Sequence, residues 1–293
     1  DLLFGGAGTG VFIFDVSNPA SLMKISEGIH TRSGGVRGAN VAVMDLFYEP
    51  TNQRLYIVGG DGGLEIWDVT IPSSPFKLSN YKTPGYARRI YVQNSLAYIA
   101  DWDAGLRIID VSNPVNPFQV GFYNPGVGVV YSIWVRGSFA YVGNGGAGFR
   151  VVDVSNPASP FQVGFCDTPG YTSDIFGSGL YVYVADGDQG LRIINVSNPA
   201  NPSEVGYYTP PGTPFFDNVY VLGSYAYIPD WNNWLRIVDV SNPSSPYEVG
   251  SYGGIFPCDS PLDVYVSGSY AYMACAFSSF CVIDISNPTN PIG

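Results

Sequence analysis

Asp15-Val16-Ser17-Asn18-Pro19 recurs from Asp110, Asp153 and Asp239, and returns in variant form as DVTIP from Asp68, NVSNP from Asn195 and DISNP from Asp284. The copies start at positions 15, 68, 110, 153, 195, 239 and 284, giving intervals of 53, 42, 43, 42, 44 and 45 residues. Only short β-branched and aromatic runs, bounded by Gly, Pro, Asn and Asp, lie between them. A period in the low forties built of such runs predicts an all-β chain, a seven-bladed β-propeller of four-stranded antiparallel blades.

The stretch from Ala87 to Tyr123 serves as the template blade. Ile90-Tyr91-Val92, Leu96 to Ala100, Leu106 to Asp110 and Phe118 to Phe122 read as its four strands, and Pro-Gly loops such as Pro84-Gly85, Pro125-Gly126 and Pro169-Gly170 join blades. The repeated phrase is punctuation after each third strand. Its Asp or Asn can accept a backbone N–H two residues on, and Asn-Pro opens the turn with a fixed φ.

The third-strand segments VFIFD, LEIWD, LRIID, FRVVD, LRIIN, LRIVD and FCVID, with S-N-P-x-x-P and V-G after them, resemble the LVIVD repeat family over essentially the whole chain. The resemblance implies a β-propeller of exported or cell-surface proteins. It carries no shared catalytic motif, and a fold does not by itself name a function.

At 293 residues a chain buries about 75% of its unfolded surface, so neither metal nor disulfide is required for a core. We read residues 1–293 as a single propeller domain. The net charge of −11, with lysine only at positions 24, 77 and 82, disfavours nucleic acid and anionic membrane surfaces as partners. No apolar run is long enough to insert in a bilayer. The first repeat opens on a second strand, Leu2-Leu3-Phe4, and the last stops at Pro291-Ile292-Gly293, where a fourth strand should begin. Ring closure is therefore expected to be incomplete within these residues. About 25–30 more residues would close it, or a neighbouring chain would, through the open blade edges.

Aligning the repeats on the phrase exposes a covarying pair flanking the hairpin between second and third strands. It reads Asp101/Arg107, Asp186/Arg192, Asp230/Arg236 and Asn144/Arg150, becomes Gly6/Phe12 and Gly59/Glu65 in the first two repeats, and ends as Cys275/Cys281. Residues that change together are expected to touch directly across the hairpin, which predicts a cross-strand ion pair and, in the last repeat, a Cys275–Cys281 disulfide. Cys258, in a nearby loop, is the rival partner, and Cys166 reads as a buried free thiol. A disulfide would suit an exported protein.

Hairpin loops and inter-blade loops should share one face. They gather Trp102, Asp103, Asp188, Trp231, Asn232 and Trp234 from the former, and Tyr86, Tyr171, Phe215 and Phe216 from the latter. Flat aromatic rings beside hydrogen-bonding side chains suit a glycan or protein ligand, although the same rings would also serve to seal the top of a core. Trp234 stands where five repeats have Gly, at a turn position that favours positive φ. Asp101-x-Asp103-x-Gly105 and Asp186-x-Asp188-x-Gly190 look like the opening of a calcium loop, but the later bidentate Glu is missing. Tight Asp-Gly turns account for them without metal, and no cofactor is expected.

His30 is the single histidine, which argues against a Ser-His-Asp device and multi-histidine metal sites. The sequon at Asn195 falls within the repeated phrase and reads as a chance match. The sequence therefore points to a non-catalytic extracellular or cell-surface binding or assembly module. The alternatives are a glycan hydrolase using innermost-strand carboxylates among Asp45, Asp174, Asp217 and Asp263, and a subunit of a polymer or surface layer built by strand exchange.

Overall fold

The computed structural model describes residues 2–18, 21–26, 28–31, 42–231, 234–253, 260–275 and 280–293. Every regular element among them is a β-strand. The template blade consists of Arg89–Gln93, Leu96–Ala100, Leu106–Asp110 and Phe118–Tyr123, paired antiparallel in chain order. Its boundaries fall within a residue of the expected runs. With six further antiparallel sheets of the same pattern, the fold is a seven-bladed β-propeller.

The end blades differ from the template. In the first, Leu2–Ala7 pairs with Gly10–Asp15, whose other side takes two short pieces, Met23–Lys24 and Ile29–His30. In the last, Pro261–Ser267, Tyr270–Cys275 and Phe280–Asp284 form three strands, and a lone bridge joins Asp284 to Ile292. The chain falls into two compact units, Asp1–Ala140 with Asp153–Phe161, and Tyr141–Val152 with Gln162–Gly293. The contacts discussed below lie within one unit or the other.

Second strands do not alternate buried and exposed residues. Leu96–Ala100 and Tyr181–Ala185 each bury four consecutive side chains. A strand loses its alternation when both faces of its sheet are covered, here by the blades on either side. In the first unit Val58, Leu64 and Ile66 pack with Ile90, Ile99 and Ile109 of the following blade. In the second, Leu191 and Ile193 pack with Val219, Ile228 and Val238. Each such aliphatic side chain stabilises the fold by roughly 1.5–3 kcal/mol on burial.

The repeated phrase forms the turn expected of it. In all seven copies the side chain of the leading Asp or Asn accepts the N–H two residues on, from Ser17, Thr70, Ser112, Ser155, Ser197, Ser241 and Ser286. The phrase also locks blades together. The carbonyl of its proline lies against the glycine of the V-G pair in the preceding blade, at Pro157/Gly121, Pro199/Gly164, Pro243/Gly206 and Pro288/Gly250, where a Cβ would collide with it. Where that glycine is replaced by Ser79, the hydroxyl donates to the Pro114 carbonyl at 2.5 Å. The V-G element of the repeat is thus a requirement for close backbone approach.

Candidate functional site

The loop region is built on the covarying pair, and its geometry corrects the expected register. Ile99 lies opposite Arg107, while the Asp101 N–H donates to the Gly105 carbonyl. Asp101 and Arg107 are therefore diagonal neighbours rather than directly opposed. They still meet. Arg107 Nε is 3.7 Å from Asp101 Oδ2, Arg192 Nε 3.8 Å from Asp186 Oδ2, and Arg236 Nε 2.6 Å from Asp230 Oδ2, with all three Asp side chains fully buried. The fourth strand completes the unit. Glu204 and Glu248 reach the guanidinium groups of Arg192 and Arg236, and the rings of Phe122 and Tyr207 lie over Arg107 and Arg192.

These carboxylates hold loops. Asp101 Oδ2 accepts the N–H of Gly85 and Asp186 Oδ2 that of Gly170, each within the preceding Pro-Gly loop. Thr168 Oγ1 also donates to Asp186, at 2.8 Å. A Cβ on Gly85 or Gly170 would strike the carbonyl of the same aspartate. Burial holds both carboxyls above the ordinary carboxylate range, against the loop hydrogen bonds and the nearby arginines. Asp103 and Asp188, the other members of the two calcium-like patterns, are exposed. Among the described residues no group of three or more His, Cys, Asp or Glu is placed to hold a metal ion.

The diagonal register also overturns the expected Cys275–Cys281 disulfide. Met273, not Cys275, lies opposite Cys281, and the two sulfurs are 3.9 Å apart. Diagonal neighbours have Cα atoms about 7–8 Å apart, beyond the usual reach of a disulfide. Cys281 is a free thiol, whereas Cys275 is disulfide-bonded. Cys258 lies outside the described residues. Cys166 is free as expected, but half-buried.

Of the innermost-strand acids, Asp45 and Asp174 are staples too. Asp45 Oδ2 accepts the N–H of Ile90 in the next blade, and Asp174 Oδ2 accepts from Asn218 Nδ2 at 2.9 Å and from the Val219 N–H. Asp263 accepts the N–H of Val264.

The loop aromatics divide into three settings. In the first unit Tyr86 meets Trp102 edge-on, Trp102 lies 5.5 Å from Tyr131, and the Arg88 guanidinium sits over both Trp102 and Tyr131. In the second unit the rings of Phe215 and Trp231 lie 5.1 Å apart, tilted by 53° to one another. Backbone bridges from Gly187 to Phe216 and from Phe216 to Asp230 tie their two segments to the loop beneath Tyr171. Tyr171 and Phe215 are each 39% exposed and Trp231 45%. Trp234 stands apart. It adopts φ 57° as its glycine position implies, but it meets Tyr252 edge-on and is half-buried against the core cluster of Leu235 and Ile237. Asn232 lies outside the described residues.

Arg88 and Tyr131 have no place in the sequence reading, because neither belongs to a repeated element. A signal for their neighbour does exist. Trp102 has φ 51°, at a loop position where other blades place Gly60, Gly145 and Gly187 at 45°, 54° and 57°. The comparison that singles out Trp234 would have singled out Trp102 as well.

The family model of the LVIVD repeat matches residues 55–83, 84–125, 127–168, 169–210, 216–253 and 261–292. The chain belongs to the LVIVD repeat family. No curated protein matches it. Solved structures similar to this LVIVD repeat chain include a periplasmic gluconolactonase of Pseudomonas aeruginosa, at 15% identity and a TM-score of 0.81, covering 100% of this chain and 94% of that one. A putative 6-phosphogluconolactonase from Bacteroides uniformis is similar at 11% identity and a TM-score of 0.79, covering 98% and 92%. The Cps50 (Swd1) beta-propeller domain of Myceliophteria thermophila is similar at 13% identity and a TM-score of 0.74, covering 96% and 92%. At such identities the likeness is one of fold, and it places the LVIVD repeats within the propeller architecture. Among the described residues no helix is long and apolar enough to cross a membrane.

Proposed function

We propose that the chain is an extracellular or cell-surface binding module that takes a glycan on its loop aromatics without chemical turnover. The observation that carries this reading is the exposed Phe215–Trp231 pair with Tyr171 on the linked loop segment, set beside the exposed Asp188 and the half-buried Gln189. An exposed aromatic surface with hydrogen-bonding groups at its edge matches the two kinds of surface a sugar ring presents. Support for a non-catalytic role comes from the buried Asp101, Asp174 and Asp186 and the half-buried Asp45, which each accept main-chain N–H groups and serve as staples. A disulfide-bonded Cys275 suits an oxidising compartment.

A glycan array followed by titration calorimetry tests this, together with an assay of sugar-lactone hydrolysis prompted by the lactonases of the same fold. Binding without turnover is the expected result, weakened about tenfold or more by Trp231→Ala, as for the loss of one stacking platform. Lactone or glycoside hydrolysis abolished by Asp174→Asn would overturn it in favour of an enzyme.

A further inference from the structure

We propose that the innermost strands of the second unit bind a small protonated alkylamine, held by Asn218 and the rings of Phe176, Tyr220 and Tyr265. The site is separate from the loop aromatics and does not rest on the glycan-binding reading. Phe176, Tyr220 and Tyr265 occupy one register position in three successive blades, opposite Tyr183, Tyr227 and Tyr272 of the second strands. Ring centres stand 4.7 Å apart from Phe176 to Tyr220 and 5.4 Å from Tyr220 to Tyr265, with planes inclined at 50° and 73°. Rings so inclined surround a point instead of forming the flat surface on which a sugar stacks. A cation gains from several rings at once. Phe176 and Tyr220 are half-buried, and Tyr265 is 49% exposed.

Asn218 supplies a second, independent observation. Side chains two residues apart on a strand share a face, so Asn218 stands one step from Tyr220, as Asp174 does from Phe176 and Asp263 from Tyr265. In two other blades the residue at this position reaches forward to the next blade, Asp45 to the Ile90 N–H and Asp174 to the Val219 N–H. The equivalent N–H for Asn218 is that of Val264, and Asp263 Oδ1 takes it at 2.9 Å. Asn218 Nδ2 donates to Asp174, which fixes the amide, because an ionised carboxylate only accepts. Oδ1 therefore faces away from Asp174, on the side of the blade that carries Tyr265. It is buried without a hydrogen-bond partner among the described residues, and Asn218 as a whole is 6% exposed. Leaving a buried acceptor without a donor is costly, and an N–H from a ligand removes that cost.

The two requirements select the ligand. Asn218 Oδ1 calls for a donor and the inclined rings for positive charge, which together describe an ammonium that keeps its N–H groups. The second unit does not supply one itself. Residues 141–152 and 162–293 contain no lysine or histidine, and their arginines, Arg150, Arg192 and Arg236, all lie on third strands. Half-buried rings admit a small free amine whole, whereas a lysine on a folded partner would enter only by its tip.

Calorimetric titration at about 0.15 M salt, which screens diffuse attraction to an acidic chain, compares four probes. They are n-butylammonium, n-butanol without the charge, butyltrimethylammonium without the N–H, and Nα-acetyl-lysine methylamide. n-Butylammonium is expected to bind about tenfold or more tighter than the alcohol and the quaternary amine, and at least as tightly as the lysine compound. Tyr265→Leu, at an exposed ring, should weaken it about fivefold or more with little change in melting temperature. Asn218→Ala should abolish the preference for the primary over the quaternary amine, and if that variant folds poorly Tyr265→Leu carries the test. Absence of amine binding, a quaternary amine or alcohol bound as tightly as the primary amine, affinity untouched by Tyr265→Leu, or tighter binding of the lysine compound would each overturn the proposal.

Discussion

Arg236 Nε lies 2.6 Å from Oδ2 of a fully buried Asp230, and the same guanidinium reaches Glu248 at 2.7 Å. This is the tightest of three equivalent couples, the others standing at 3.7 and 3.8 Å. Breaking a buried pair leaves a desolvated charge without compensation, so Arg236→Met is expected to destabilise the chain by about 3–5 kcal/mol. Replacing both partners, as in Asp230→Val with Arg236→Met, removes the orphaned charge and should cost less than that single change. Urea unfolding of the three proteins measures the difference, and a double variant weaker than Arg236→Met would refute the argument.

The Pro-Gly loops depend on those carboxylates and on the bare Cα of their glycine. Gly170→Ala puts a Cβ into the Asp186 carbonyl, backbone that cannot swing aside. Overpacking of this kind costs about 1–3 kcal/mol, and Gly121→Ala should behave alike through the Pro157 carbonyl. Gly253→Ala is the control, with no atom of the described residues within 4 Å of its would-be Cβ, and is expected to change stability by less than about 0.5 kcal/mol. Thermal melts of the three variants test the ranking.

Strand runs, the hairpin pair and the Asp-Ser turns were legible in the sequence because each is repeated, and repetition separates a requirement from an accident. What was not legible lies in single departures. Glu65 stands where other blades have Arg, and Lys77 where they have Gln or Glu, so each alone looks like noise. Across adjacent strands they form a charge-reversed ion pair at 3.0 Å, with Trp67 donating its indole N–H to Glu65. The register of the hairpin was equally hidden. Both a direct and a diagonal pairing put Asp101 and Arg107 in contact, and only the hydrogen bond from Asp101 to Gly105 decides between them. That difference is trivial for a long Arg but decisive for two short cysteines.

The two classes of aspartate predict opposite responses to acid. Hydrogen bonds from Ser or Thr two residues on hold Asp15, Asp68, Asp153, Asp239 and Asp284 below the ordinary carboxylate range. Their stabilisation is complete above the unfolded-state value of about 3.9 and is lost as pH falls through the folded one. Burial raises Asp101 and Asp186, so the folded state binds their protons first. Their contribution is therefore greatest below the unfolded value and declines as pH rises through the raised one. Melting temperatures followed from pH 7 to pH 2 should show a steep loss confined to the region below about pH 4. In Asp186→Asn the dependence above that region should flatten. A steep loss already between pH 6 and pH 5 would contradict the assignment.

The same diagonal geometry makes the cysteines chemically distinct. Cys275 is disulfide-bonded, and the Cys281 sulfur stands 3.9 Å from it as a thiol that burial pushes above its usual pKa. At neutral pH little of that thiol is ionised, and only the thiolate attacks a disulfide. Alkylation of the unreduced, unfolded protein is expected to label Cys281 and Cys166 and to spare Cys275. In the folded protein Cys281 should react slowly at pH 7 and faster as pH rises. Mass mapping that finds Cys275 linked to Cys281 at neutral pH would show that the two strands shift register, since the diagonal pair as it stands holds its sulfurs apart.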